Sequence, residues 1–320
     1  MKVKFLQSLS PQEMERYKSS ELGRLAQANY MHCEEHLAYY REYFGPSWKD
    51  VSLIAYDESC FAIVVYMFLG NGEFSFFWAP VNVYENPAVP AKDLGYAYQE
   101  LFVRIERLRE EEGARSLKFF ENPSFLMKYY AAEGFTVTPQ FEMDIDLTRC
   151  EEELFMNVRK SYKSLINWGR KNLETKVFDA SNMDGSVMEE FENFHIAVAG
   201  RRTRSHQSWM LQSQAVCAGK GFVVMNYLEG ELVSATLVLC GLTECYYGVC
   251  VNRRDLMARK LPIGHYGLYK SILLAKEKGL KVFHMGDVSD SPDPKLNAIV
   301  KYKRGFGNQL RCRNVYQVQL

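Results

Sequence analysis

This sequence lacks long apolar runs, paired cysteine motifs, low-complexity tracts, extended charge blocks and net charge. The longest apolar run, residues 61–69, is strand length and far below a membrane span. The opening MKVKFLQSLSPQEMERY turns polar too soon for a secretory leader, so a cytoplasmic protein with no transmembrane segment is expected. Eight cysteines are present (Cys33, Cys60, Cys150, Cys217, Cys240, Cys245, Cys250 and Cys312), and none form a C-x-x-C pair. Cys240, Cys245 and Cys250 recur every five residues, but in apolar, strand-like sequence without nearby histidine. That pattern argues against zinc and for buried free thiols in a reducing compartment. His32 and His36 stand four apart with no third ligand in view, which reads as a packed helix face. No metal is expected. A G-x-S-x-G elbow is also missing, which leaves Ser/His/Asp chemistry unsupported.

What is present fits a soluble globular protein. The chain has 320 residues, 47% of them hydrophobic and 24% charged, enough for two domains of average size. The neutral total hides an asymmetry. Residues 151–320 hold 24 Lys and Arg against 17 Asp and Glu, which leaves 15 against 22 for residues 1–150 from totals of 39 each. A basic second half suits a phosphate-bearing ligand, and mutual attraction of the halves is an equal reading.

Element by element, residues 1–50 read as helical, with Ser10-Pro11 as a helix start. Strands are expected at 51–56, 60–69 and 74–83, a long amphipathic helix at 96–112, a strand at 116–120, a short helix at 125–132 and a strand at 136–147. A basic helix spans 150–173, and two more helices follow at 186–204 and 208–219. The earlier order then returns: strands at 222–228, 231–240 and 244–251, a helix at 262–278, a strand at 281–285, a short helix at 296–303 and a strand at 310–319. Three antiparallel strands, a long helix, a strand, a short helix, a glycine and a strand therefore occur twice. The fold class is α+β, with two similar domains at 1–149 and 150–320.

The candidate chemistry gathers in the second half. Residues 281–307 join a strand ending at Gly286-Asp287, a Ser/Asp/Pro loop and a short helix that places Lys303 beside that loop. A lysine there can stabilise an oxyanion or bind an anion, or it can simply solvate a surface helix with Lys301 and Arg304. His265, at a helix start, is a general-base candidate, and Asp287 sits at a strand end where catalytic groups gather. Arg159, Lys163 and Arg170 share one helix face that either binds anions or is solvated. Arg201, Arg202 and Arg204 either clamp a phosphate or cap a helix end.

Tyr302-Lys303-Arg304-Gly305-Phe306-Gly307 resembles the aromatic-Lys-x-x-Phe-Gly signature that closes the FemAB-like acyltransferases. Arg159-Lys160, Lys163 and Ile166 resemble that family's R-K-x-x-R-x-x-I pattern, with Lys163 where an arginine is usual. Tyr246-Tyr247-Gly248 resembles its cleft-lining strand. Arg253 to Ala258 resembles the pyrophosphate loop of GNAT enzymes, the acyl-CoA N-acyltransferases, with Leu256 in place of its glycine. The resemblance implies two tandem GNAT-like domains, each a mixed, mainly antiparallel sheet flanked by helices. It implies an enzyme that transfers an aminoacyl or acyl group from aminoacyl-tRNA or acyl-CoA to a primary amine, with no tightly bound cofactor. The acceptor would be a small molecule or a cell-envelope precursor, as in peptidoglycan synthesis for the cell wall. In that reading Lys303, Asp287 and His265 are catalytic. Arg159, Lys163, Arg202, Arg204, Tyr247, Tyr302 and Phe306 bind substrate. The alternative is an inactive module of the same fold that binds a phosphate-bearing ligand.

Overall fold

The computed structural model describes residues 1–120, 129–130, 134–307 and 309–319. It is an α+β structure that divides into two compact units. The first comprises residues 1–27, 44–140 and 312–320, the second residues 28–43 and 141–311. The division expected at 149/150 falls instead at 140/141, and one segment from each end belongs to the other unit. The expected helix at 125–132 lies largely outside the described residues.

In the first unit, β1 (Lys2–Phe5), β3 (Leu53–Tyr56), β4 (Phe61–Tyr66) and β7 (Asn82–Glu85) form an antiparallel sheet. Alternating Lys-Val-Lys-Phe makes residues 2–5 an edge strand where helix was expected. A second group joins β2 (Lys49–Asp50), β5 (Phe68–Gly70), β6 (Glu73–Ser75) and β8 (Ser116–Phe120), with β8 also pairing residues 315–319. The helix Ala91–Glu112 buries Leu94, Ala97, Tyr98, Leu101, Ile105 and Leu108, a three-to-four spacing that lays one stripe on the core. The single strand expected at 74–83 is broken by a tight turn at Phe77 and Trp78, both at positive φ.

The second unit is where the candidate site lies. Its sheet runs β10 (Glu174–Phe178), β11 (Gly221–Leu228), β12 (Glu231–Cys240), β13 (Glu244–Asn252), β14 (Val282–Asp287) and the end of β9 (Phe135–Asp146). Pairing is antiparallel except between β13 and β14, which are parallel because the helix Ile263–Glu277 crosses between them. That helix buries ten of its residues, as a crossover helix on a central sheet must. The expected basic helix is two, Glu151–Asn157 and Lys160–Asn172. It breaks where the Arg159 amide donates to the Gly305 carbonyl instead of continuing the helix. β10 was hidden in the polar sequence after it.

Candidate functional site

The site begins with a parting of strands. β13 and β14 pair only from Glu244 to Tyr246 and from Val282 to His284. Beyond this point the register of β13 against β12 slips past Gly248, between the Leu237–Val249 and Val238–Tyr247 pairs. β14 slips against β9 past Met285 and turns at Gly286, φ +76°. Paired irregularities of this kind re-aim side chains and end pairing. A side chain at Gly286 would meet the Tyr246 ring, its β-carbon 2.8 Å from the hydroxyl, so glycine is required there. Tyr246 to Cys250 are all half-buried although they lie in an inner strand, because their edge toward β14 is open.

Lys303 reaches this opening. It ends the helix Pro294–Lys303, and its Nζ donates to the Asp287 carbonyl at 3.3 Å. Burial lowers its pKa from the ordinary lysine value, and the Asp287 carboxylate opposes that shift. The Asp287 carboxylate is exposed and accepts the Ser289 amide at 2.7 Å, so it shapes the loop. Arg304 holds the same loop through the Val288 carbonyl and Asp290, a role not legible beforehand. Tyr302 lies against the central helix, its hydroxyl donating to the Gly264 carbonyl at 2.9 Å. Burial raises the Tyr302 and Tyr247 phenols well above their usual range, so both remain hydrogen-bond donors at neutral pH.

His265 sits in an aromatic box. Its ring lies 4.6 Å from Tyr162, 5.3 Å from Tyr302 and 6.1 Å from Phe306, centroid to centroid. Burial pushes its imidazole down to about 4. The expected base near neutrality is therefore a neutral packed ring that joins three helical segments. Arg159 lies over Tyr162 at 5.1 Å, outside this box and exposed. Lys163 donates to the Met156 carbonyl at 3.2 Å and covers Phe155.

Arg202 and Arg204 are not brought to Lys303 by any contact among the described residues. Arg202 pairs with the buried Glu192, which also holds His206 at 2.6 Å. Arg204 stacks 3.7 Å above Trp209 and donates to Tyr39 at 2.9 Å and Gln212 at 3.1 Å. The expected phosphate clamp is thus occupied by protein partners, because Glu192 and Trp209 come from the helices that flank the arginine loop. Arg204→Ala is expected to cost about 2 kcal/mol in urea unfolding, from the lost stacking and hydrogen bonds. Unchanged stability with weakened binding of inorganic phosphate would restore the clamp. Arg253, in the loop after β13, is similarly committed to Glu231 and Asp255, and Leu256 is buried.

A second cluster escaped the sequence reading. His284 is clamped between Asp144 at 2.7 Å and Glu244 at 2.9 Å, and Arg311 bridges Asp144 and Glu142. The only advance signal was histidine in a strand flanked in space by β9, where Glu142 and Asp144 share one face.

Among the described residues no group of three or more His, Cys, Asp or Glu side chains is arranged to hold a metal. No described helix is long and apolar enough to cross a membrane. No protein-family model matches the sequence, and no curated protein matches it. Solved structures do match. FemX aligns over 100% of this chain and 98% of its own at 12% identity, TM-score 0.68. A tandem GNAT protein from the clavulanic acid biosynthesis pathway covers 99% and 98% at 12% identity, TM-score 0.58. L-PGS from Bacillus licheniformis covers 96% and 91% at 12% identity, TM-score 0.57. The expected fold is therefore present over the whole chain.

Proposed function

With the fold shared by FemX and tandem GNAT proteins as premise, we propose that this chain is an acyltransferase that forms an amide. It transfers an aminoacyl or acyl group from an ester or thioester donor to a primary amine on a small molecule or a cell-envelope precursor, in the cytoplasm. The observation that carries this reading is Lys303 at the mouth of the β13–β14 parting. A carbonyl placed there would develop negative charge as the amine attacks, and a lysine held beside it would stabilise that charge. The carbon–nitrogen bond forms, the donor's carbon–oxygen or carbon–sulfur bond breaks, and the amine proton leaves with the departing group or to water. The open edge of β13 offers backbone donors and acceptors to a donor arm, and Tyr247 and Tyr302 shape the cleft wall, whereas Phe306, expected there, is buried behind them in the core.

Two donors fit the reaction, aminoacyl-tRNA and acyl-CoA. Arg253 tied into two ion pairs and Leu256 in place of a glycine both disfavour a standard coenzyme A pyrophosphate loop. This favours aminoacyl-tRNA, with the exposed Arg159 and Arg170 available to its phosphates. The test is transfer of a labelled group from aminoacyl-tRNA or from acetyl-CoA to a panel of primary amines, with amide formation as readout. Amide from aminoacyl-tRNA is expected. Binding of either donor without turnover would instead make the chain a binding module.

A further inference from the structure

Beneath the first turns of the helix Ile263–Glu277, the sheet presents polar side chains where apolar ones would be expected. Thr175, Asn226, Ser234 and Asn252 are direct register partners across β10, β11, β12 and β13. The helix meets this row with two glycines. A β-carbon at Gly267 would fall 2.3 Å from Asn226 Nδ2 and 3.6 Å from Ser234 Oγ, and one at Gly264 would fall 2.7 Å from Asn252 Oδ1. Asn226 and Ser234 are wholly buried, each 0% exposed.

Part of this row is satisfied internally. Thr175 Oγ1 donates to Asn226 Oδ1 at 2.7 Å, and Asn252 Nδ2 donates to the Cys250 thiol at 3.5 Å. Three atoms are left over: Asn226 Nδ2, Ser234 Oγ and Asn252 Oδ1 have no partner among the described residues. A buried amide donor, a hydroxyl and a carbonyl oxygen in one place are costly to leave unpaired. The geometry supplies a remedy. Neighbouring strands lie about 4.8 Å apart, so the two asparagines stand about two spacings apart with the short Ser234 between them. Each asparagine's amide end sits where a side chain of the overlying glycine would stand, so the helix backbone closes over the row.

We propose that one ordered water molecule occupies this niche. It accepts from Asn226 Nδ2, donates to Asn252 Oδ1 and shares a hydrogen bond with Ser234 Oγ. Three polar partners are typical of a buried structural water. The water fixes Asn252, whose amide holds the Cys250 thiol behind Tyr247 in the cleft wall. The proposal concerns the seat of the helix and stands apart from the reaction.

A high-resolution crystal structure of the full chain tests it directly. Density within hydrogen-bonding distance of all three atoms is the expected result, and an empty niche overturns the proposal. The melting temperature of Ser234→Ala gives an independent reading. It should fall if the water loses a partner, and it should rise if the hydroxyl was unpaired in a dry seam. Should Ser234→Ala fail to fold, the density in the unaltered protein decides alone.

Discussion

Lys303→Ala is expected to lower the rate of amide formation about 100-fold while leaving the melting temperature nearly unchanged. The magnitude is that of losing one group that stabilises an oxyanion. Folding should survive because Lys303 is half-buried and makes one long hydrogen bond, to the Asp287 carbonyl. Lys301→Ala is the control, since that residue shares the helix but is exposed. Lys303→Arg should recover only part of the rate, because a planar fork cannot place its charge where an ammonium does. Rates for Lys303→Ala and Lys301→Ala would be measured with the donor and amine that the transfer assay identifies. Equal rates for the two would reduce Lys303 to a surface charge.

His284→Gln is expected to cost about 3 kcal/mol of stability near pH 6, and much less above pH 9. Burial pulls the His284 pKa down, but hydrogen bonds and charge from Asp144 and Glu244 outweigh it and raise it to about 9. A folded value above the unfolded value of about 6.5 means the protonated ring stabilises the fold. That contribution is complete below about pH 6.5 and is lost as pH rises through about 9. A rise from about 6.5 to about 9 corresponds to about 3 kcal/mol at its fullest. Urea midpoints of the protein and the variant across pH 6 to 10 measure it. A gap that does not change with pH would show that the ring is neutral between its two carboxylates.

The contrast between Lys303 and His265 shows what the sequence could reveal. Lys303 and Asp287 were legible together because a strand, a short loop and a short helix are contiguous, and contiguity alone brings their ends close. The state of His265 was not legible. Its box is made by Tyr162, Tyr302 and Phe306, which come from two distant stretches of chain, so neither its neighbours nor its depressed pKa has a local signature. The protein partners of Arg202 and Arg204 were not legible for the same reason. Three arginines in four residues look like an anion site until Glu192, buried on the preceding helix, and Trp209, on the following one, claim two of them. The element order of the second half was legible because hydrophobic period and turn residues are local, whereas in the first half the strands expected at 60–69 and 74–83 are each broken. The break of the basic helix was not legible, since it depends on the carbonyl of Gly305.

The exchange of segments between the two units bears on how the chain is made. The first unit includes residues 312–320, and its strand β8 pairs with β6 on one side and with residues 315–319 on the other. A ribosome delivering this chain exposes β8 long before that second partner emerges. The first unit therefore completes its sheet only after the second has been synthesised, and the usual order in which an earlier domain finishes first does not hold. Residues 28–43 wait in the opposite sense, made early but at home in the later unit. Expression of residues 1–149 alone would leave an unpaired strand edge and a stranded helix, a combination that favours aggregation over independent folding.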